Sequence, residues 1–203
     1  MARANQAILI VGRKHTGKST LLRKIAGSVA GPHKRTMIID VNGSPAYGDV
    51  KQISYDELKR WRSGGINKFY DPDHDRMFNF LTKHFGPQYD EAGNRIGNRP
   101  FHGSLFFEDC TKYIASNPPK NIKTFLVDHR MWDADLFFTF HSLKRVPPFF
   151  WDLISQIIIL KTQDTEAQLR KLDIPNQEAV LAAHRRVMAS PDNYKHEVVE
   201  TLI

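Results

Sequence analysis

Along the chain, short and wholly apolar runs alternate with segments whose apolar residues recur every three or four positions. Ala7-Ile8-Leu9-Ile10-Val11 contains no polar residue and is closed by Gly12, the pattern of a strand buried on both faces of a parallel sheet. Leu21, Leu22 and Ile25 then fall at helical spacing within Ser19 to Ala26, with Gly27 placed to stop the helix. Met37-Ile38-Ile39-Asp40 predicts a second buried strand with Asn42-Gly43 as the turn after it, and Ile66 to Tyr70 a third, weaker one. Met77, Phe80, Leu81, His84 and Phe85 lie along one side of a helix over Arg76 to Phe85. Further strands are predicted at Ser104-Leu105-Phe106-Phe107, Leu136 to Phe140 and Gln156 to Leu160, and further helices over Asn121 to Met131, Asp164 to Leu172 and Gln177 to Ala189. Strands that alternate with helices predict an α/β fold with a mainly parallel central sheet flanked by helices.

A chain of 203 residues is the size of one domain, and 1–203 reads as a single unit with two special regions. Gly86 to Gly103 carries Gly86-Pro87, Gly93-Asn94-Arg95 and Gly97-Asn98-Arg99-Pro100, which predicts a long loop insertion. The part from about 164 to 203 is expected to be helical. Hydrophobic residues at 41% and charged residues at 25% are the balance of a globular protein and exclude a disordered chain. Cys110 is the sole cysteine, which excludes a disulfide framework. The longest apolar stretch, Val146 to Leu160, is interrupted by Asp152, Ser155 and Gln156, so no membrane span is expected. Ala7 to Val11 ends in glycine rather than at a cleavage site, so no secretory leader is expected either. Lys and Arg outnumber Asp and Glu by 29 to 22, a net charge of +7, which favours a polyanionic partner.

Gly12-Arg13-Lys14-His15-Thr16-Gly17-Lys18-Ser19 matches the phosphate-binding loop G-x-x-x-x-G-K-[ST] and stands between a predicted strand and a predicted helix, where that chemistry requires it. Its glycines let consecutive N–H groups curl around a phosphate at the positive end of the helix. Residues Gly12 to Thr20 are the candidate nucleotide contacts. Lys18 bridges the β- and γ-phosphates in such loops, and the Ser19 hydroxyl ligates magnesium, so ATP and Mg²⁺ are the expected cofactors. Glu108-Asp109 directly follows the apolar run Leu105-Phe106-Phe107, the form of a Walker B segment: one acid holds the magnesium shell and one polarises the attacking water. Position assigns Glu108 to magnesium and Asp109 to the base role, with the reverse assignment also open. His141, after Phe137-Phe138-Thr139-Phe140, stands at a strand end where a polar group can sense the γ-phosphate or the lytic water.

Four segments in this order resemble the FtsK/HerA superfamily of DNA-pumping ATPases: Gly12 to Ser19, Ile38-Ile39-Asp40-Val41-Asn42-Gly43, Phe106-Phe107-Glu108-Asp109, and His141-Ser142-Leu143-Lys144-Arg145-Val146-Pro147. His141 departs from the glutamine usual there, and the order of the acids is reversed. A bare motor of this length is similar to the genome-packaging ATPases of tailless, double-jelly-roll viruses. The resemblance implies a RecA/FtsK-like P-loop domain and a homo-oligomeric ring that pumps double-stranded DNA into a preformed capsid, with capsid vertex proteins as partners. It also implies a protein of the host cytoplasm or the virion. Rings of this kind complete each site with an arginine from the next subunit; Arg130 is the first candidate and Arg145 the second. Arg95, Arg99, Lys144 and Arg145 are candidates for backbone contacts to DNA without base reading. Other readings of the same loop are a small nucleoside or nucleotide kinase, a phage assembly ATPase of the zonula-occludens-toxin type, and a nucleotide switch without turnover.

Overall fold

The computed structural model describes residues 5–86, 88–92, 94–96, 101–114 and 118–201. Strand β1 (Ala7–Val11) is followed by helix α1 (Lys18–Val29), β2 (Arg35–Ile39), α2 (Tyr55–Arg60), β3 (Gly65–Phe69) and α3 (His74–Phe85). A two-stranded antiparallel hairpin, β4 (Gln88–Tyr89) with β5 (Arg95–Ile96), comes next. The chain continues through β6 (Gly103–Phe107), α4 (Lys120–Val127), β7 (Ala134–Phe140), β8 (Gln156–Ile159), α5 (Glu166–Leu169), α6 (Gln177–Ala189) and β9 (Glu197–Glu200). The main sheet has seven strands in the order β3-β2-β6-β7-β1-β8-β9. All its pairings are parallel except that of β8 with β9.

Parallel pairing makes the carboxyl ends of β1, β2, β6, β7 and β8 share one edge, where ligands of open α/β sheets bind. Every residue of β1, β2, β6 and β7 is buried, because these central strands are covered on both faces. Along β1, Leu9 and Val11 belong to the larger core with Phe107, Phe138 and Ile157, while Ile8 and Ile10 face the smaller one with Leu22 and Ala26 of α1 and Tyr47. The strand period of two thus divides one apolar run between two cores. In the larger core, Phe78, Phe107, Phe125, Phe138 and Phe150 meet in stacked or edge-to-face pairs, which is why so many phenylalanines cluster in this sequence.

Several expectations are corrected. Gly27 does not stop α1, which runs on to Val29; Val29 packs on the smaller core, and that burial offsets the ~1 kcal/mol that glycine costs inside a helix. The C-terminal part is not wholly helical. Pro191 and the Asp192 turn follow α6, and the β-branched pair Val198-Val199 then pairs opposite Ile158 and Ile157 as β9. Helix α5 is four residues long rather than reaching Leu172: past Leu169 the chain tightens into three-residue turns, with Lys171 N–H donating to the Gln168 carbonyl and Leu172 N–H to the Leu169 carbonyl, and the Gln177 side-chain amide also donates to the carbonyls of Leu169 and Leu172. Within the glycine-rich insertion, Asp90 accepts from the backbone and side chain of Asn94 and closes the β4–β5 hairpin. Helix α2 was not anticipated, although Ser54 and Glu57 form a capping box at its start.

Candidate nucleotide-binding site

The loop after β1 is tied down at both flanks. Gly12 N–H donates to the Phe140 carbonyl at the end of β7 (3.1 Å), and Arg13 N–H donates to Lys161 beyond β8 (2.7 Å). Gly12 admits nothing larger: a Cβ there would stand 2.7 Å from Thr16 Oγ1 and 2.8 Å from Leu160 Cβ. His15 and Gly17 take left-handed backbone angles, φ 63° and 82°, which curl the loop before α1. Thr16 Oγ1 and Lys18 Nζ both donate to the Arg13 carbonyl, at 2.8 and 3.0 Å, so the lysine lies folded over its own loop. Gly17 at the N-cap has no side chain with which to satisfy the first N–H groups of α1, and the helix start is an anion site by construction.

That loop forms one wall of a cavity of about 550 Å³, and Asn42, Glu108, Asp109, Thr139 and His141 form the other. Of the predicted nucleotide contacts, Lys14, His15, Gly17, Lys18, Ser19 and Thr20 line it, whereas Gly12, Arg13 and Thr16 shape the loop from behind. Glu108 is buried at the end of β6. Its Oε1 accepts from Ser19 Oγ at 2.7 Å and its Oε2 from Tyr47 OH at 2.8 Å. Burial pushes its carboxyl above the usual range, against the Ser19 and Tyr47 bonds and the nearby Lys18 charge. A hydroxyl and a carboxylate side by side at the foot of a phosphate loop are hard oxygen donors, and they fit the shell of a magnesium ion.

Successive residues of a strand point to opposite faces, yet Asp109 opens on the same cavity as Glu108. The cause is local: Asp109 is left-handed, at φ 50° and ψ 56°, which turns the chain and brings its side chain back. Its N–H donates to the buried Thr139 Oγ1 at 2.7 Å. Its carboxylate accepts from His141 Nε2 (3.2 Å), Thr111 Oγ1 (2.7 Å) and Asn42 Nδ2 (3.3 Å). These donors, His141 first, hold the Asp109 carboxyl well below the usual carboxylate range. His141 Nδ1 lies 3.2 Å from Lys18 Nζ. An ammonium only donates, so Nδ1 accepts there and the ring proton sits on Nε2, directed at Asp109. Burial lowers the Lys18 pKa, with Glu108 and Asp109 opposing. Two adjacent carboxyls are thus driven apart in acidity, Glu108 upward by burial and Asp109 downward by its donors.

Other predicted positions fall elsewhere. Lys144 and Arg145 are exposed in the turn after His141, on the same sheet edge as the cavity; the Ser142 hydroxyl and Leu143 N–H hold that turn to Asp164. Arg130 is not part of this chain's cavity. It is exposed ahead of β7, and a seven-residue strand at ~3.3 Å per residue puts about 20 Å between it and His141. Arg95 is on β5, and Arg99 lies outside the described residues. Sequence reasoning missed Asn42, Tyr47 and Thr139 as site residues. A lone hydroxyl inside the apolar run Phe137 to Phe140 was the signal for Thr139, and Asn42 stands in one of the segments of resemblance; nothing near Tyr47 marks it.

The fold is a mostly parallel seven-stranded α/β sheet with a phosphate-loop sequence between β1 and α1, and solved structures of NTPases share it. Among solved structures, the chain is similar to the genome-packaging NTPase B204 of Sulfolobus turreted icosahedral virus 2. The complex with ATP-γS matches with a TM-score of 0.66 at 15% identity over 97% of this chain and 92% of that one. The complex with AMP matches at 0.66 and 17% over 97% and 93%. B204 of Sulfolobus turreted icosahedral virus, a DNA-packaging ATPase, matches at 0.64 and 14% over 97% and 92%. No protein-family model and no curated protein sequence matches the chain. Among the described residues, no helix is long and apolar enough to cross a membrane.

Proposed function

We propose that this protein is an ATP-hydrolysing motor that translocates double-stranded DNA and packages a viral genome into a preformed capsid. The observation that carries the reading is the linked set Ser19–Glu108 and Lys18–His141–Asp109 at the mouth of a phosphate loop. Likeness in fold to B204 over nearly the whole chain supports the packaging part.

In this reading Lys18 leaves its contacts with Arg13 and His141 and donates to the β- and γ-phosphates. Ser19 and Glu108 would hold magnesium, whose charge would offset that of the phosphate oxygens. Tyr47 keeps the Glu108 carboxylate turned toward Ser19. Departure of Lys18 leaves His141 Nδ1 free to accept from the attacking water, while Asp109 holds the ring through Nε2. Asp109, over-supplied with donors, is a weak base by itself and acts on the water with His141. The active form is a ring in which Arg145 or Arg130 of one subunit completes the site of the next. Lys144, Arg145, Arg95 and Arg99 touch the DNA backbone, and vertex proteins of the capsid anchor the ring. The site of action is the host cytoplasm or the virion.

Steady-state phosphate release with and without long linear duplex DNA tests this, with Lys18→Ala and Glu108→Gln as controls. Turnover stimulated by duplex and abolished in both variants is the expected result. Phosphate transfer to a nucleoside in place of release to water would overturn it in favour of a kinase.

A further inference from the structure

Beside the phosphate cavity, across the first turn of α1, lies a second cavity of about 430 Å³ whose lining includes Gly17, Thr20, Leu21, Lys24, Tyr194 and His196. Gly17 and Thr20 line both cavities, so the two meet over the start of the helix. Lys18, Asp109 and His141 mark one end of the phosphate cavity as the γ-phosphate end. In the proposed reading a triphosphate would run from there toward Gly17 and Thr20, the residues the two cavities share, and its sugar and base would face the second cavity.

Tyr194 is placed to receive that base. Its ring lies against the phosphate loop: a Cβ on Gly17 would stand 2.9 Å from Tyr194 Cδ1 and 3.4 Å from Cε1. The residue is 66% exposed, a large aromatic ring that the fold leaves in water. Its position is nevertheless built. Tyr194 N–H donates to Asp192 Oδ1 at 2.8 Å, and Asp192 N–H donates to Ser190 Oγ at 3.2 Å. Lys161 Nζ, just past β8, donates to the Ser190 carbonyl. On the other side, β9 pairs with β8. The strap between α6 and β9 therefore holds an otherwise unburied ring over the phosphate loop.

We infer that Tyr194 is the stacking platform for the base of the bound nucleoside triphosphate, with His196 a second ring on the same cavity wall. The inference rests on the proposed nucleotide site and adds the class of recognition. A stack reads the face of a base rather than its edge, and its strength follows the size of the ring system. The platform thus takes ATP and GTP alike and holds both more tightly than UTP.

Isothermal titration of the full-length chain with the magnesium complexes of ATP, GTP, UTP and tripolyphosphate tests this on wild type, Tyr194→Ala and Tyr194→Phe. Loss of one base stack predicts that Tyr194→Ala weakens ATP by ~5- to 150-fold, while tripolyphosphate affinity is unchanged. Tyr194→Phe keeps wild-type affinity, and the preference for ATP over UTP shrinks in Tyr194→Ala. Equal weakening of ATP and tripolyphosphate in Tyr194→Ala overturns the platform, because the ring would then only be supporting the loop. An unchanged ATP affinity overturns it as well. If wild type binds neither ATP nor tripolyphosphate, the nucleotide site itself is refuted, and the platform with it.

Discussion

Replacing Tyr47 by Phe removes one oxygen and keeps the ring that fills the smaller core. The hydroxyl donates to Glu108 Oε2 at 2.8 Å within a buried pair. Hydrogen bonds to charged groups contribute about 1.5–3 kcal/mol, and a buried acceptor left without its donor carries a cost of that order. For a chain of this length, 1 kcal/mol corresponds to about 2–4 °C in Tm, so Tyr47→Phe lowers Tm by roughly 3–12 °C. The functional effect follows from geometry. With Oε2 untethered, Glu108 no longer holds Oε1 against Ser19, and the magnesium concentration for half-maximal turnover rises about 10-fold if ~1.4 kcal/mol of that bond orients the carboxylate. The pH dependence has a definite sign. Tyr47 favours the ionised form of a carboxyl that burial has already raised, so its loss raises that carboxyl further and moves the acidic limb of the turnover profile to higher pH. Differential scanning calorimetry and phosphate release across a magnesium titration read these effects. A variant with wild-type Tm, magnesium dependence and pH profile would refute the view that Tyr47 positions Glu108.

Thr139→Val leaves the buried Asp109 N–H without its acceptor, at about 1–3 kcal/mol, and thermal unfolding shows the loss; Thr139→Ser restores the bond and the stability. Gly12→Ala forces a methyl group into Thr16 and Leu160. Overpacking costs about 1–3 kcal/mol, so Tm falls and triphosphate binding, read by titration calorimetry, is lost with the loop's shape. Arg185 and Arg170 hold the Glu166 carboxyl at about 2. A lowered carboxyl contributes stability above its unfolded value of ~4.3 and loses it as pH falls through the folded value. Thermal melts therefore show wild type more stable than Glu166→Gln near neutrality, the gap closing as pH falls from about 4 to about 2.

What was legible in the sequence was whatever short-range pattern controls. Uninterrupted apolar runs marked the buried strands because both faces of the sheet are covered, and the phosphate loop was legible because eight consecutive residues build it. Glu108-Asp109 could be paired with that loop from the end of an apolar run. The reason both acids serve one cavity could not be read there, since it lies in the left-handed turn at Asp109. Tyr47 was invisible because its partner is 61 positions away and only the folding of the segment after β2 onto α1 brings them together. Tyr194 was missed for the same reason: the expected C-terminal helix left no place for the strap and strand β9, which carry the ring back over Gly17. Arg130 precedes β7, and the length of that strand keeps it out of this chain's own cavity, so the sequence alone could offer it only to the site of a neighbouring subunit.

The claim that the site drives movement along duplex DNA is tested most directly by triplex displacement, in which a third-strand oligonucleotide is stripped from one end of a linear duplex. The account predicts release that requires ATP and magnesium and is absent in Lys18→Ala and Glu108→Gln. ATP hydrolysis indifferent to duplex DNA, with the triplex left intact, would contradict it.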